Sequence, residues 1–159
     1  MKILMFGWEY PPHVYGGLAT ANYGITEGLH AHGNAEITLC LPKPFGDEDR
    51  TPANILAMNC VPIAWRDVNY DYVKDRVGHV MSPELYYQLR DHIYGDFNYM
   101  HVNDLGCMDF AGGYPSNLHE EINNYSVIAG VVARTLDFDI IHAHDWLTYP
   151  AGIHAKQVT

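Results

Sequence analysis

His142, His144, Asp145 and Trp146 stand together near the carboxyl end of the chain, directly after the apolar pair Ile140 and Ile141. Imidazole and carboxylate together donate and accept hydrogen bonds, which suits the hydroxyl groups of a sugar. The adjacent indole offers an apolar face for a ring or for packing of the loop. A His-x-His pair at a strand end can also chelate zinc, so a metal-dependent hydrolase using His142 and His144 is a second reading. Such sites need further ligands at set spacings. The only later histidine, His154, falls inside a predicted helix, and no cysteine is near. The metal reading is therefore disfavoured, and a lone packed histidine beside an exposed one is the bland alternative.

A second group lies near the amino end, where Glu9, Tyr10, Pro11 and Pro12 are followed by Gly16 and Gly17. A glycine pair at a helix entrance frees backbone N–H groups and lets a bulky anion approach without meeting a Cβ. A diphosphate fits such a feature. The pair matches neither the GxGxxG fingerprint nor the GxxxxGK[ST] loop, so neither a redox nor a P-loop nucleotidase reading has support.

Both groups need strands to position them. Residues 2–8 form an apolar run suited to a strand buried on both faces. The prolines then impose a loop, and a helix begins at Gly16–Gly17 with Leu18, Ala21, Ile25 and Leu29 on one face. Gly24 and Gly28 inside it each cost roughly 1 kcal/mol against alanine, which close approach of helix to sheet would compensate. Gly33 stops the helix, and residues 35–41 read as a second buried strand. Between Pro42 and Pro115 the pattern is weaker: residues 55–64 suit a strand. Residues 83–95 suit a helix with Ser82 as N-cap and Pro83 at its first position. Eight of the twelve tyrosines fall between Tyr70 and Tyr125, where packing with the hydroxyl at a surface is their ordinary role. Asn117 with Glu120 resembles a capping box. Leu118, Ile122, Tyr125, Ala129, Val132 and Leu136 then mark the most regular helix. It feeds a strand at 139–143, and Thr148 caps a last helix with Pro150 in its first turn. The expectation is a single α/β domain over residues 1–159, a Rossmann-like parallel sheet flanked by helices, with both chemical groups on one rim.

Composition narrows the partners. With 19 acidic residues against 9 basic ones, formal net charge is −10 and no basic cluster exists. A nucleic-acid backbone or an anionic membrane is thus an unsuitable partner. No run reaches the roughly 20 apolar residues of a bilayer span, and the apolar start is too short for a signal-peptide core. Cysteines 40, 60 and 107 are odd in number and widely spaced, which suits reduced, partly buried thiols. Cytoplasmic residence is the expectation.

The segments Glu9-Tyr-Pro-Pro, Gly16-Gly17-Leu18-Ala19 and His142-Ala-His144-Asp145-Trp146, in that order, resemble the N-terminal domain of glycogen and starch synthases. These are retaining glucosyltransferases of the two-domain GT-B fold. The resemblance spans residues 2–159 and implies transfer of glucose from ADP-glucose or UDP-glucose to an α-1,4-glucan, without a required metal or other cofactor. It implies that Gly16 and Gly17 face the donor diphosphate, and that His144 holds the transferred glucose and stabilises positive charge at its anomeric centre. It gives Glu9 and Asp145 a supporting role on the acceptor side or in loop geometry. Many members carry a lysine where Val14 stands and an acidic residue where Thr20 stands. In this respect the chain looks more like broad group-1 glycosyltransferases and archaeal- or cyanobacterial-style synthases. The C-terminal nucleotide-sugar domain of the family is absent from these residues, so the fold is expected to be an incomplete GT-B half, inactive alone. A non-catalytic glucan-binding module is the rival from another class.

Overall fold

The computed structural model describes residues 1–63, 74, 82–92 and 102–159. Its frame is a four-stranded, all-parallel sheet built from β1 (Lys2–Phe6), β2 (Glu36–Leu41), β3 (Asn54–Ala57) and β4 (Ile140–Ala143). The spatial order is β3-β2-β1-β4. The chain steps outward from β1 to β3 and later returns to β1's other side. The boundary between β1 and β4 is therefore where the strand order reverses, and ligands of open parallel sheets bind at such a boundary.

Alternation along β1 divides the core. Ile3 and Met5 pack with Ile37, Leu39, Leu41 and Ile55 under α1 (Gly17–Ala31). Leu4 and Phe6 join Cys40, Leu56 and the residues of the helix Leu118–Thr135. With Pro83–His92 as α2, that helix is α3, and Tyr149–Val158 is α4. Helix α2 begins as its sequence predicts: the Ser82 Oγ accepts the N–H of Leu85 at 3.2 Å. Of the predicted span 83–95, residues 93–95 lie outside the described residues, as do Ala64 and Tyr70, Tyr72, Tyr94 and Tyr99.

Helix α3 follows its predicted stripe, with Ile122, Tyr125, Ala129 and Val132 buried. It is buried more widely than a single stripe because it touches the sheet on one side and α4 on the other. The contact with α4 is close: a Cβ on Gly130 would lie 2.8 Å from the His154 ring, and one on Gly152 would lie 2.7 Å from the Ala143 Cβ. The Nδ1–H of His154 donates to the Ser126 carbonyl at 2.9 Å. At the core's centre, the Tyr125 hydroxyl reaches the carbonyls of Gly7 at 3.0 Å and Cys40 at 2.9 Å, joining the ends of β1 and β2.

Several expectations are corrected. The strand expected at 55–64 ends at Ala57, and a single 3-10 turn, Met58–Cys60, follows. Met58, Cys60, Val61 and Ile63 are apolar because they are buried in irregular chain, a case that composition alone cannot separate from a strand. On α1, Leu18, Ile25 and Leu29 pack half-buried against the core as expected, but Ala21 is exposed and the fully buried positions are Ala19, Asn22 and Thr26. Polar side chains take this face because each finds a partner. The Asn22 amide donates to the Glu9 carbonyl at 3.0 Å, and Thr26 bridges the Tyr10 hydroxyl and the Tyr23 carbonyl. Gly24 and Gly28 face open space, so close helix–sheet approach does not explain them. Neither expected side-chain cap forms at Asn117 or Thr148. Gly33 does end α1, at φ +74°. All three cysteines are free and buried.

Candidate functional site

Three loops meet at the carboxyl edge of the sheet beside the β1–β4 boundary: residues 7–16, 111–115 and 144–148. The first is held from within. Glu9 is buried, and its Oε2 accepts the N–H groups of Tyr15 at 2.6 Å and Gly16 at 3.1 Å. Its Oε1 accepts the Tyr114 hydroxyl at 2.8 Å, and the Trp8 indole donates to the Gly113 carbonyl at 2.9 Å. The carboxylate thus folds the segment before α1 into a tight arc and ties it to the 111–115 loop. Glu121 secures that loop from α3, accepting the Ala111 N–H at 2.9 Å.

Gly16 is the N-cap of α1 and supplies no capping side chain. Its own N–H is engaged by Glu9, so the first-turn amides from Gly17 onward are the ones that face outward without a side-chain partner. A Cβ on Gly17 would meet nothing within 4 Å. Helix amides left in this way carry the positive end of the helix dipole and favour an anion.

Strand β4 presents the second group. Met5 is the register partner of His142 and Phe6 that of Ala143, so the histidine lies on the α1 side of the sheet. Residues Ile141 and Ala143 face α4. The His144 N–H continues the ladder to the Phe6 carbonyl at 3.1 Å, and the rings of His142 and His144 stack at 5.7 Å with 14° between their planes. Burial first, and the neighbouring charge of His144 second, lower the pKa of His142 below the usual histidine value. Asp145 turns the chain at φ +73°, a left-handed conformation that aspartate tolerates better than most residues. Its Oδ1 accepts the Trp146 N–H at 2.7 Å. Thr148, fully buried, donates its hydroxyl backward to the carbonyls of His144 and Asp145, which fixes the turn instead of capping α4.

The loops also sense one another electrostatically. Burial, then the hydrogen bond and charge of Glu9, and then the charge of Asp145 raise the pKa of the Tyr114 hydroxyl above the ordinary tyrosine range. It therefore keeps its proton and donates it to Glu9. Tyr15, Tyr114 and Trp146 are all about half exposed and form an aromatic border to this region.

Every residue singled out from sequence, Glu9, Gly16, Gly17, His142, His144 and Asp145, lies on this rim. Tyr114 and Glu121 escaped sequence reasoning, since their roles depend on contacts with residues far away in the chain. The only local signal is the turn sequence Gly112-Gly113-Tyr114-Pro115. Among the described residues, no third histidine, cysteine, aspartate or glutamate ligand atom joins His142 and His144 within metal-binding reach, and His154 is committed to Ser126.

Residues 2–159 match the starch synthase catalytic domain family along their whole length. The chain belongs to the starch synthase catalytic domain family. It is also 23% identical over 158 residues to an uncharacterized glycosyltransferase of Methanocaldococcus jannaschii, covering 99% of this chain and 28% of that protein. The starch synthase-type chain thus spans little more than a quarter of that relative. No solved structure matches it. Glycosyl transfer is the chemistry of this family, and the parallel sheet is consistent with part of a GT-B fold. No helix among the described residues is long and apolar enough to cross a membrane.

Proposed function

We propose that this chain forms the N-terminal, acceptor-side half of the cleft of a retaining glucosyltransferase that moves glucose from ADP-glucose or UDP-glucose onto an α-1,4-glucan. The observation that carries the reading is a juxtaposition. The uncapped first turn of α1 and the His142–His144 pair occupy the same side of the sheet, at the point where strand order reverses.

In this reading the α1 amides from Gly17 onward meet the donor diphosphate, and the bare Gly16–Gly17 backbone lets it approach. His144 holds a hydroxyl of the transferred glucose and stabilises positive charge as it develops at the anomeric carbon. Fixed dipoles aimed where charge develops need no reorganisation during the reaction. Glu9 acts on loop geometry, because its contacts all hold the arc and Tyr114. Asp145 shapes the turn that aims His144 and Trp146. The remaining positive charge for the leaving diphosphate comes from a complementary nucleotide-sugar domain. No metal is required, and the residues 1–159 alone do not turn over. Cytoplasmic residence fits three free, buried thiols.

The test is radiolabelled glucose transfer from ADP-glucose and UDP-glucose to a glycogen primer. The full coding sequence should be active, its His144→Gln variant should fall at least about 100-fold, and residues 1–159 should be silent. Transfer by residues 1–159, or undiminished transfer by the variant, refutes the reading. Glucan binding with no transfer by the full coding sequence would instead favour the non-catalytic module.

A further inference from the structure

A second cluster of ligating side chains lies on the same rim, one loop away from the site just described. His13 from the loop after β1 meets Asp47 and Glu48 from the loop after β2. One nitrogen or oxygen from each lies within 4.8 Å of the others. The imidazole Nε2 is 2.7 Å from the Asp47 Oδ1, and the ring stacks on Phe45 at 3.9 Å with 30° between planes. Glu48 is buried, and the N–H groups of Phe45 at 2.7 Å and Gly46 at 2.9 Å hold its two oxygens.

The burial of Glu48 is the independent observation. Among the described residues it forms no ion pair, although a carboxylate taken out of water ordinarily sits beside a cation. Two carboxylates therefore converge on one imidazole, and Lys43, which lines the same pocket, forms an ion pair with neither. A divalent ion would neutralise the pair. We propose that His13, Asp47 and Glu48 form a structural site for a first-row divalent metal ion, of the zinc type. One nitrogen and two oxygen ligands suit zinc better than calcium or magnesium, which favour all-oxygen shells. Bonds of about 2.0–2.1 Å in a tetrahedral shell place ligand atoms about 3.3 Å apart. The His13–Asp47 pair need open by only about half an ångström, and the third ligand need close by at most about 1.5 Å. Water fills the fourth position.

The site joins the loops after β1 and β2. Because the loop after β1 also carries Glu9 and the approach to Gly16, the ion stiffens the arc that presents the α1 amides. It takes no part in glycosyl transfer and does not depend on that assignment.

Zinc chloride titrated into metal-free protein in a calorimeter, with the zinc content measured after dialysis, tests the proposal. One zinc ion per chain is expected, with affinity at least about tenfold weaker in His13→Gln and in Asp47→Asn. Circular dichroism confirms that both surface variants remain folded. Absence of binding up to about 1 mM zinc overturns the proposal, as does equal affinity in His13→Gln. Loss of binding in a His142→Gln/His144→Gln protein with retention in His13→Gln also overturns it, moving the ion to the β4 edge.

Discussion

The arc before α1 rests on one carboxylate, so truncating Glu9 should loosen that segment before it disturbs the sheet. Three donors converge on Glu9: the amides of Tyr15 and Gly16 and the hydroxyl of Tyr114. In Glu9→Gln, the amide oxygen can still take both backbone donors, and its NH2 can turn to the Tyr114 oxygen. Tyr114 is half exposed, so its hydroxyl can turn to give its proton to water. The change reduces charge-assisted bonds to neutral ones and should cost about 1 kcal/mol. In Glu9→Ala, two backbone N–H groups lose their acceptor. Each stranded donor costs about 1–3 kcal/mol, and partial access of water at the rim places the total near 2–3 kcal/mol. Tyr114→Phe removes one bond to the carboxylate and should cost about 1 kcal/mol. Because that bond is the one the Glu9 change already breaks, the double variant should cost less than the sum by about 1 kcal/mol. Equilibrium urea unfolding gives the four energies, and amide exchange read by NMR at Tyr15 and Gly16 localises them. Strict additivity, with protection of those two amides unchanged in Glu9→Ala, would refute the clamp.

Other expectations follow from the same geometry. Gly24→Ala and Gly28→Ala place a methyl group in open space within α1, so each should stabilise by about 1 kcal/mol in urea unfolding. Gly130→Ala and Gly152→Ala should destabilise, because the added carbon meets the His154 ring and the Ala143 Cβ inside van der Waals distance. The folded state holds His142 below its unfolded pKa of about 6.5, so its neutral form contributes stability that is complete above that pH. That contribution is lost as pH falls from about 6.5 through the lower folded value. The stability of wild type should therefore drop more between pH 7.5 and 5 than that of His142→Gln, and parallel pH profiles would contradict the assignment. Tyr125→Phe should cost about 1–2 kcal/mol in urea unfolding, since it leaves the Gly7 carbonyl without its hydroxyl donor in the core.

Much of the frame was legible because it depends on periodicity. Alternate residues of β1 split between two helical layers, and the stripe of α3 is buried where its spacing says. Ser82 caps α2 because the bond is local. Thr148 shows the opposite case. A threonine before a helix reads as a cap, but its hydroxyl donates to the carbonyls of His144 and Asp145, where a left-handed residue has opened the turn. The inward face of α1 was legible only in part for a related reason. Leu18, Ile25 and Leu29 pack against the core as hydropathy favours, whereas Ala21 is exposed and Asn22 and Thr26 are drawn in by Glu9, Tyr10 and Tyr23, whose positions depend on the whole loop.

The glycine pair illustrates how a motif and its mechanism can separate. Gly16 and Gly17 invite one explanation, two bare amides facing an anion. The two positions do different work. At Gly16 the backbone is consumed: its N–H belongs to Glu9, and a Cβ there would come within 3.4 Å of the Glu9 carboxylate and 3.6 Å of the Tyr114 hydroxyl. Those are ordinary van der Waals contacts, and at φ −160° the backbone is extended, so the protein itself tolerates a side chain at that position. At Gly17 nothing in the chain occupies the space that a Cβ would fill. A glycine that the protein does not require, placed where α1 presents its unpaired amides, is the one whose replacement reports on a ligand. Gly17→Ala should leave unfolding nearly unchanged or slightly stabilised while weakening nucleotide-sugar binding by the full coding sequence. Gly16→Ala should also leave unfolding nearly unchanged, because the added carbon makes only ordinary contacts.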